Sequence, residues 1–181
     1  MVERILNDIA AAGGANVGVL RYFNVAGADP AGRSGQVSRS ATHLIKIAAE
    51  VATGKRQHVV ITGCDFNTID GTGVRDYIHV SDLAAAHLDA LDAMRASPKQ
   101  SLTLNVGYGR GASVLEVLDA VERVSGRPVA RINADRRPGD VASLVANIDR
   151  LKQQLKWNPR YANLDQIVGD AIAWEQTLSS Q

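Results

Sequence analysis

The chain of 181 residues carries a single cysteine, Cys64, so it can close no internal disulfide, and it fits a reducing compartment. It has almost no excess of either charge. A formal net charge of +1 gives no reason to expect nucleic acid or an anionic membrane as partner. Aromatic residues are sparse, and neither a basic face nor an aromatic platform for nucleic acid is visible. No apolar run approaches the ~20 residues of a membrane span. The opening Met1-Val2-Glu3-Arg4-Ile5-Leu6 lacks the apolar core of a secretion signal, which leaves the cytoplasm as the expected compartment. His43, His58, His79 and His87 have no metal-ligand spacing with Cys64 or with carboxylates, so no metal is expected. Internal repeats and low-complexity tracts are also missing. What is present is ordinary for a globular domain: 45% hydrophobic and 22% charged residues.

Apolar periodicity fixes most elements. Val2, Ile5, Leu6 and Ile9 predict an opening helix that stops at Gly13-Gly14. No capping residue precedes it, which reads as a helix begun further upstream. Val17 to Phe23 predicts a buried strand, and Asn24 to Ser40 a long loop. A helix is expected from Thr42 to Thr53 and a strand from His58 to Thr62. A turn-rich segment from Gly63 to Gly73 leads to a strand over Tyr77 to Val80. Ser81 or Asp82 is expected to cap the next helix, which reaches about Arg95. Leu102 to Val106 predicts a strand, and Ser113 with Glu116 a capping box for a helix that ends at Gly126. Short strands are expected at Val129 to Ile132 and Leu144 to Ala146. Asp149 is expected to cap a brief helix, and Leu164 to Leu178 to form the last one. Trp157 and Trp174 fall at apolar helix positions and are assigned to the core; Tyr22 is not. The alternation of strands and helices argues for an α/β fold.

Two arginine loops are candidates for binding an anion. Arg75 follows Gly71-Thr72-Gly73, and a guanidinium fork matches two phosphate oxygens at once. On spacing alone, a surface pair with Asp70 or Asp76 is the commoner arrangement. Arg136-Arg137-Pro138-Gly139-Asp140 is a second basic turn, for which plain solvation is the commoner case. Gly107-Tyr108-Gly109-Arg110-Gly111-Ala112 fits the dinucleotide fingerprint, with Asp135 as a ribose ligand. Asp135 lies beyond the usual ~20-residue spacing, so these glycines are read as a tight strand-to-helix turn. His79 alternates with Tyr77 and is read as structural.

Taken in order, several segments resemble the UDP-glucose 4-epimerases of the extended short-chain dehydrogenase/reductase superfamily. They are Leu20-Arg21-Tyr22-Phe23-Asn24-Val25-Ala26-Gly27-Ala28, Thr42-His43-Leu44, Asp70 through Val80, Leu104 through Gly109, and Arg136 through Asp140. The resemblance covers nearly the whole chain and is to the C-terminal half of that family. It implies an α/β fold: the C-terminal part of an extended Rossmann-type epimerase, a remnant of the parallel sheet plus a smaller mixed α/β substrate lobe. Residues 1–27 would belong to the NAD-binding domain and 28–181 to the UDP-sugar-binding portion, with 76–95 returning to the Rossmann sheet.

The resemblance also implies a chemistry. Members interconvert UDP-glucose and UDP-galactose through a transient 4-keto sugar, with NAD as cofactor and a Tyr-x-x-x-Lys base. Tyr22 and Phe23 would approach the nicotinamide end of NAD. Asn24 would contact the substrate phosphate or sugar. His43, Leu44, Val60 and Thr62 stand on the uridine side. Arg75 and Arg137 would hold the diphosphate, Asp140 the ribose, and Leu144 would border the room for an N-acetyl group. The chain departs from the family at His43, where it or its neighbour is usually asparagine, and at Thr62, where many members carry an aromatic. Tyr-x-x-x-Lys and an opening glycine fingerprint are absent, so no catalytic residue is assigned. The chain is expected to be a truncated, inactive half, and a homodimer through Val2 to Ala12 is expected. The alternatives are a non-catalytic UDP-sugar-binding remnant, or a 4-epimerase of UDP-N-acetylhexosamines or UDP-pentoses.

Overall fold

The computed structural model describes residues 1–38, 40–98 and 100–179, with Ser179 described by its backbone only. Arg39, in the expected loop before Ser40, lies outside the described residues. The elements alternate as the periodicity requires. Helix α1 (Val2–Ala11) is followed by β1 (Gly18–Tyr22) and β2 (Asn24–Ala26), α2 (Leu44–Ala52), β3 (Val59–Thr62), β4 (Val74–Arg75) and β5 (Tyr77–His79). Then come α3 (Val80–Ala96), β6 (Leu102–Val106), β7 (Ala112–Ser113), α4 (Val114–Ser125), β8 (Arg131–Ala134), β9 (Ser143–Leu144), α5 (Asp149–Gln154) and α6 (Leu164–Ser179).

The strands pair as short sheets. β1 runs parallel to β6, β2 to β5 and β3 to β8, while β4 lies between antiparallel β7 and parallel β9. Two cores result. In the first, α2, α4 and α6 pack together over β3, burying Ile45, Ile61, Leu118, Val121, Ile167 and Val168. Ala48, Ala49 and Ala120 are fully buried and let the helix backbones approach closely. In the second, α3 and α5 cover the β1–β6 pair, burying Leu83, Leu102, Leu104, Leu151 and Leu155. Each fully buried large side chain contributes about 1.5–3 kcal/mol of transfer free energy.

Several boundaries differ from the sequence expectation. The expected long loop starts with β2, because Asn24–Ala26 finds a parallel partner in Tyr77–His79 more than fifty residues away. Helix α3 is capped by neither Ser81 nor Asp82: the Nδ1 atom of His79 accepts from the Ser81 N–H at 3.0 Å. Asp149 does not cap α5; its own N–H donates to Asn147 Oδ1 at 3.0 Å. The strand expected at 129–132 forms at Arg131–Ala134, where register with β3 places it, and that expected at 144–146 forms at Ser143–Leu144. Trp157 and Trp174 are half-buried rather than fully buried: Trp157 packs against the second core, and each indole N–H reaches a main-chain carbonyl, of Asp82 and Gln36 respectively. The capping box of α4 and the left-handed Gly126 that closes it form as expected.

One face stays uncovered. α1 buries no residue, and Val2, Ile5 and Ile9 are exposed along it. β1 pairs along one edge only, among the described residues. An open edge beside an apolar row favours association. The 181-residue chain is therefore expected to bind an apolar dye and to scatter light increasingly with concentration. Ile5→Glu with Ile9→Glu should reduce both signals and leave the melting temperature unchanged. A dilute monomer with no dye binding would contradict this. Among the described residues, no helix is long and apolar enough to cross a membrane.

Candidate functional site

A cavity of about 560 Å³ opens between the start of α2, the outer face of β3, and the turns around β4 and after β8. Strand alternation builds one wall. Val59 and Ile61 are buried toward the first core, so Val60 and Thr62 project the other way. The β3–β8 pairing sets Thr62 beside Ala134, and the chain leaving β8 brings Arg137 and Asp140 to the same mouth. Gly63 makes the turn out of β3 possible. Its φ is +83°, and a Cβ there would lie 2.6 Å from Phe66 and 2.8 Å from Arg136. Arg136 stacks on Phe66 at 4.1 Å from the ring centre and donates to Asp65, which ties the two turns together. β4 supplies Arg75, β2 supplies Asn24, and the first turn of α2 supplies His43 and Leu44.

Asn24, His43, Leu44, Val60, Thr62, Arg75, Arg137 and Asp140 all line this one cavity, although they span more than a hundred residues of sequence. Three expected residues do not line it. Tyr22 is exposed at the end of β1, with its ring 6.2 Å from that of His87. Phe23 packs against the second core. Leu144 is exposed on β9, in register with Arg75. Phe66, Arg56 and Tyr77 also line the cavity and carried no signal of this in the sequence; only tertiary packing brings them there.

The cations at the cavity differ in how far they are occupied. Arg56 is held by Glu50 at 2.9 Å and Arg137 by Asp140 at 3.1 Å. Arg75 makes no ion pair among the described residues and donates only to the carbonyl of Val74, at 2.8 Å. The partners that a surface-pair reading would give it are engaged elsewhere. Asp70 accepts from Ser113 and from the Thr72 hydroxyl and N–H. Burial pulls the Asp70 carboxyl upward, but these bonds to Ser113 and Thr72 hold it below its ordinary range. Asp76 accepts from backbone N–H groups of Tyr108, Gly109 and Ala146. Helix α2 adds a further attraction for anions: its first turn carries no acid and no side-chain cap, so its leading N–H groups are uncompensated. Burial pushes the Tyr77 hydroxyl far above its ordinary range, against the opposing charge of Arg75, so Tyr77 is a neutral wall at physiological pH.

The glycine fingerprint at 107–112 does make an anion-binding nest, but the protein's own Asp76 carboxylate fills it. The tight-turn reading therefore has a physical basis. His79 is fully buried and spans from the Ser81 N–H to Asp170, 3.1 Å from Nε2, which is a structural role. Among the described residues, no cluster of three or more His, Cys, Asp or Glu side chains could hold a metal.

A second, more apolar cavity of about 400 Å³ shares Asn24, His43 and Leu44 and runs back to Trp174, Lys46 and Glu175. Its floor is ionic: Lys46 pairs with Glu175 and, at 3.4 Å, with Glu50, while Lys55 reaches Glu175 at 3.0 Å. With its cations committed, it offers an anion less than the first cavity does. This cluster pins α2 to α6, and removing its shared anion leaves buried Lys46 with only Glu50, which Arg56 also holds. Glu175→Leu should lower stability by about 3 kcal/mol. Glu175→Leu combined with Lys46→Met should recover most of that loss in a denaturant melt. Equal losses in the single and double variants would contradict this.

Comparison with known proteins shows the family of the chain. The profile of the NAD dependent epimerase/dehydratase family matches residues 1–107. A UDP-glucose 4-epimerase of Azospirillum brasilense is 54% identical over 178 residues, which is 98% of this chain and 51% of that protein. A crystal structure of UDP-glucose-4-epimerase from Stenotrophomonas maltophila, with bound NAD and formylated UDP-arabinopyranose, superposes with a TM-score of 0.94 at 39% identity, covering 99% of this chain and 53% of that one. That of UDP-glucose 4-epimerase from Bifidobacterium longum, in complex with NAD+ and UDP, gives 0.90 at 36% identity, covering 97% and 52%. The chain spans about half the length of the curated relatives it matches. A cavity lined by an uncommitted arginine and an uncapped helix start, on a scaffold shared over its whole length with these proteins, leads to one assignment: the chain belongs to the NAD-dependent epimerase/dehydratase family.

Proposed function

We propose that this chain is the UDP-sugar-binding portion of a UDP-glucose 4-epimerase, which interconverts UDP-glucose and UDP-galactose through a 4-keto sugar. The observation that carries the reading is the convergence of eight expected substrate residues on one cavity around Arg75. A volume of about 560 Å³ lies within the usual range for small-ligand sites. Arg75 and Arg137 hold the diphosphate, each charged hydrogen bond contributing about 1.5–3 kcal/mol. Arg137 must turn part of its fork from Asp140 to the ligand, which frees Asp140 to accept from the ribose. Leu44, Val60 and Thr62 flank the uridine with His43, and Asn24 meets the phosphate or sugar. Leu144, beside Arg75 in register, borders the hexose.

NAD, when bound, supplies the hydride acceptor for C4 of the sugar. Tyr22 and Phe23 fit contact with its nicotinamide end. Tyr22 ends β1 and Phe23 follows it, at the C-terminal edge of a parallel pair, where open α/β sheets hold ligands, and Tyr22 is exposed there. The nest at 107–109 does not fit its pyrophosphate, because Asp76 occupies it. On this reading, residues 1–27 lie on the cofactor side and 28–181 form the sugar side, with 76–95 returning to the cofactor sheet. The exposed row on α1 then serves a homodimer, and a single cysteine suits a cytoplasmic enzyme.

The 181 residues contain no Tyr-x-x-x-Lys, so they are expected to bind UDP without turning over UDP-galactose. Calorimetric titration should show UDP binding more tightly than uridine. Arg75→Ala should weaken UDP about tenfold or more and leave uridine unchanged, with a smaller effect from Arg137→Ala. Equal affinity for UDP and uridine would overturn the diphosphate assignment. Measurable epimerisation by this chain alone would overturn its inactivity. The absent Tyr-x-x-x-Lys favours a second reading, a binding module that never takes part in catalysis. Epimerase activity restored by adding the N-terminal half of a relative would exclude it.

A further inference from the structure

Asp76 is fully buried and makes no ion pair among the described residues. Its neighbours in sequence, Arg75 and Tyr77, line the cavity, and Asp76 projects the opposite way. Its Oδ1 accepts from the Tyr108 N–H at 3.0 Å, and its Oδ2 from the N–H groups of Gly109 at 3.0 Å and Ala146 at 3.3 Å. Its own N–H donates to the Leu144 carbonyl at 3.2 Å, and its carbonyl accepts from the Asn24 N–H at 3.0 Å. Residue 76 thus joins the start of β2, the turn after β6, and the strand that descends from the Arg137–Asp140 turn. Asn24, Arg75 and Arg137 ride on the segments it joins.

We infer that Asp76 is a positioning residue for the anion-binding cavity: clamping these segments fixes Arg75 relative to Asn24 and to the Arg137 turn without touching the ligand. The inference rests on the proposed reading of the cavity as a UDP site. Two substitutions address it from different sides. Asp76→Asn keeps the size but leaves an amide NH₂ facing at least one N–H donor. Gly107→Ala touches no lining residue; its Cβ would stand 2.6 Å from Asp76 Oδ2 and 2.8 Å from the Ala146 Cβ, so it pushes the carboxylate out of its nest.

The test is UDP titration of the 181-residue chain, paired with amide hydrogen exchange. Either substitution should weaken UDP about tenfold. In an Arg75→Ala background Asp76→Asn should change affinity less than about twofold, because positioning acts through Arg75. Unchanged UDP affinity, or the full loss persisting without Arg75, overturns the inference. If Asp76→Asn does not fold, Gly107→Ala carries the same comparison. If the unsubstituted chain binds no UDP, the reading of the cavity fails and exchange decides the positioning role. The Asn24 and Val74 amides donate to main-chain carbonyls that neither substitution alters. Positioning requires them to exchange about tenfold faster in the variant, with Leu118 and Val121 of α4 unchanged. Acceleration confined to Tyr108, Gly109 and Ala146, or spread through α4, overturns it.

Discussion

The buried carboxylate of Asp76 is the constraint on which the rest of the site depends. A side chain with no exposed surface must find donors, and it finds them on backbone from two distant stretches, at 108–109 and 146. Because those donors are main-chain groups, the carboxylate fixes backbone paths rather than side-chain rotamers. The result is a break between β4 and β5 that faces Arg75 and Tyr77 into the cavity while the chain between them is tied down. An anion nest that in other proteins receives a phosphate is here used internally.

The same logic of commitment separates the charges. Lys46, Lys55 and Arg56 neutralise Glu50 and Glu175 between α2 and α6, where they hold the first core together. Arg33 serves Asp29, whose carboxyl that ion pair holds down at about 2, and braces the loop after β2. Arg136 serves Asp65 and Phe66. After these engagements Arg75 remains at the cavity with only the Val74 carbonyl as partner among the described residues. A cation left in that state, beside an uncapped helix start, is poised for an anion from outside.

Local rules carried much of the fold. Helix α1 follows from Val2, Ile5 and Ile9, and α4 from Ser113, Glu116 and Gly126, because helical period and caps are written within a few residues. What was not legible depends on partners far away in sequence. β2 has three residues, and only Tyr77–His79 makes it a strand. β8 is exposed at all four positions, so its place comes from register with β3 rather than from any alternation. His79 is not a usual capping residue, and nothing near it announces that its ring will accept from Ser81. At the site, the resemblance singled out residues that the fold then gathered. The lining by Phe66 and Arg56 and the office of Asp76 were invisible, because each is defined by contacts across the fold.

The most direct test of the central claim is phosphorus NMR of UDP in the presence of this chain. If the diphosphate rests on Arg75, both phosphorus resonances shift on adding the chain. They should return to their free positions with Arg75→Ala, and stay shifted with Arg110→Ala, which lies outside the cavity. Resonances that shift equally with and without Arg75, or that never move, would contradict the account.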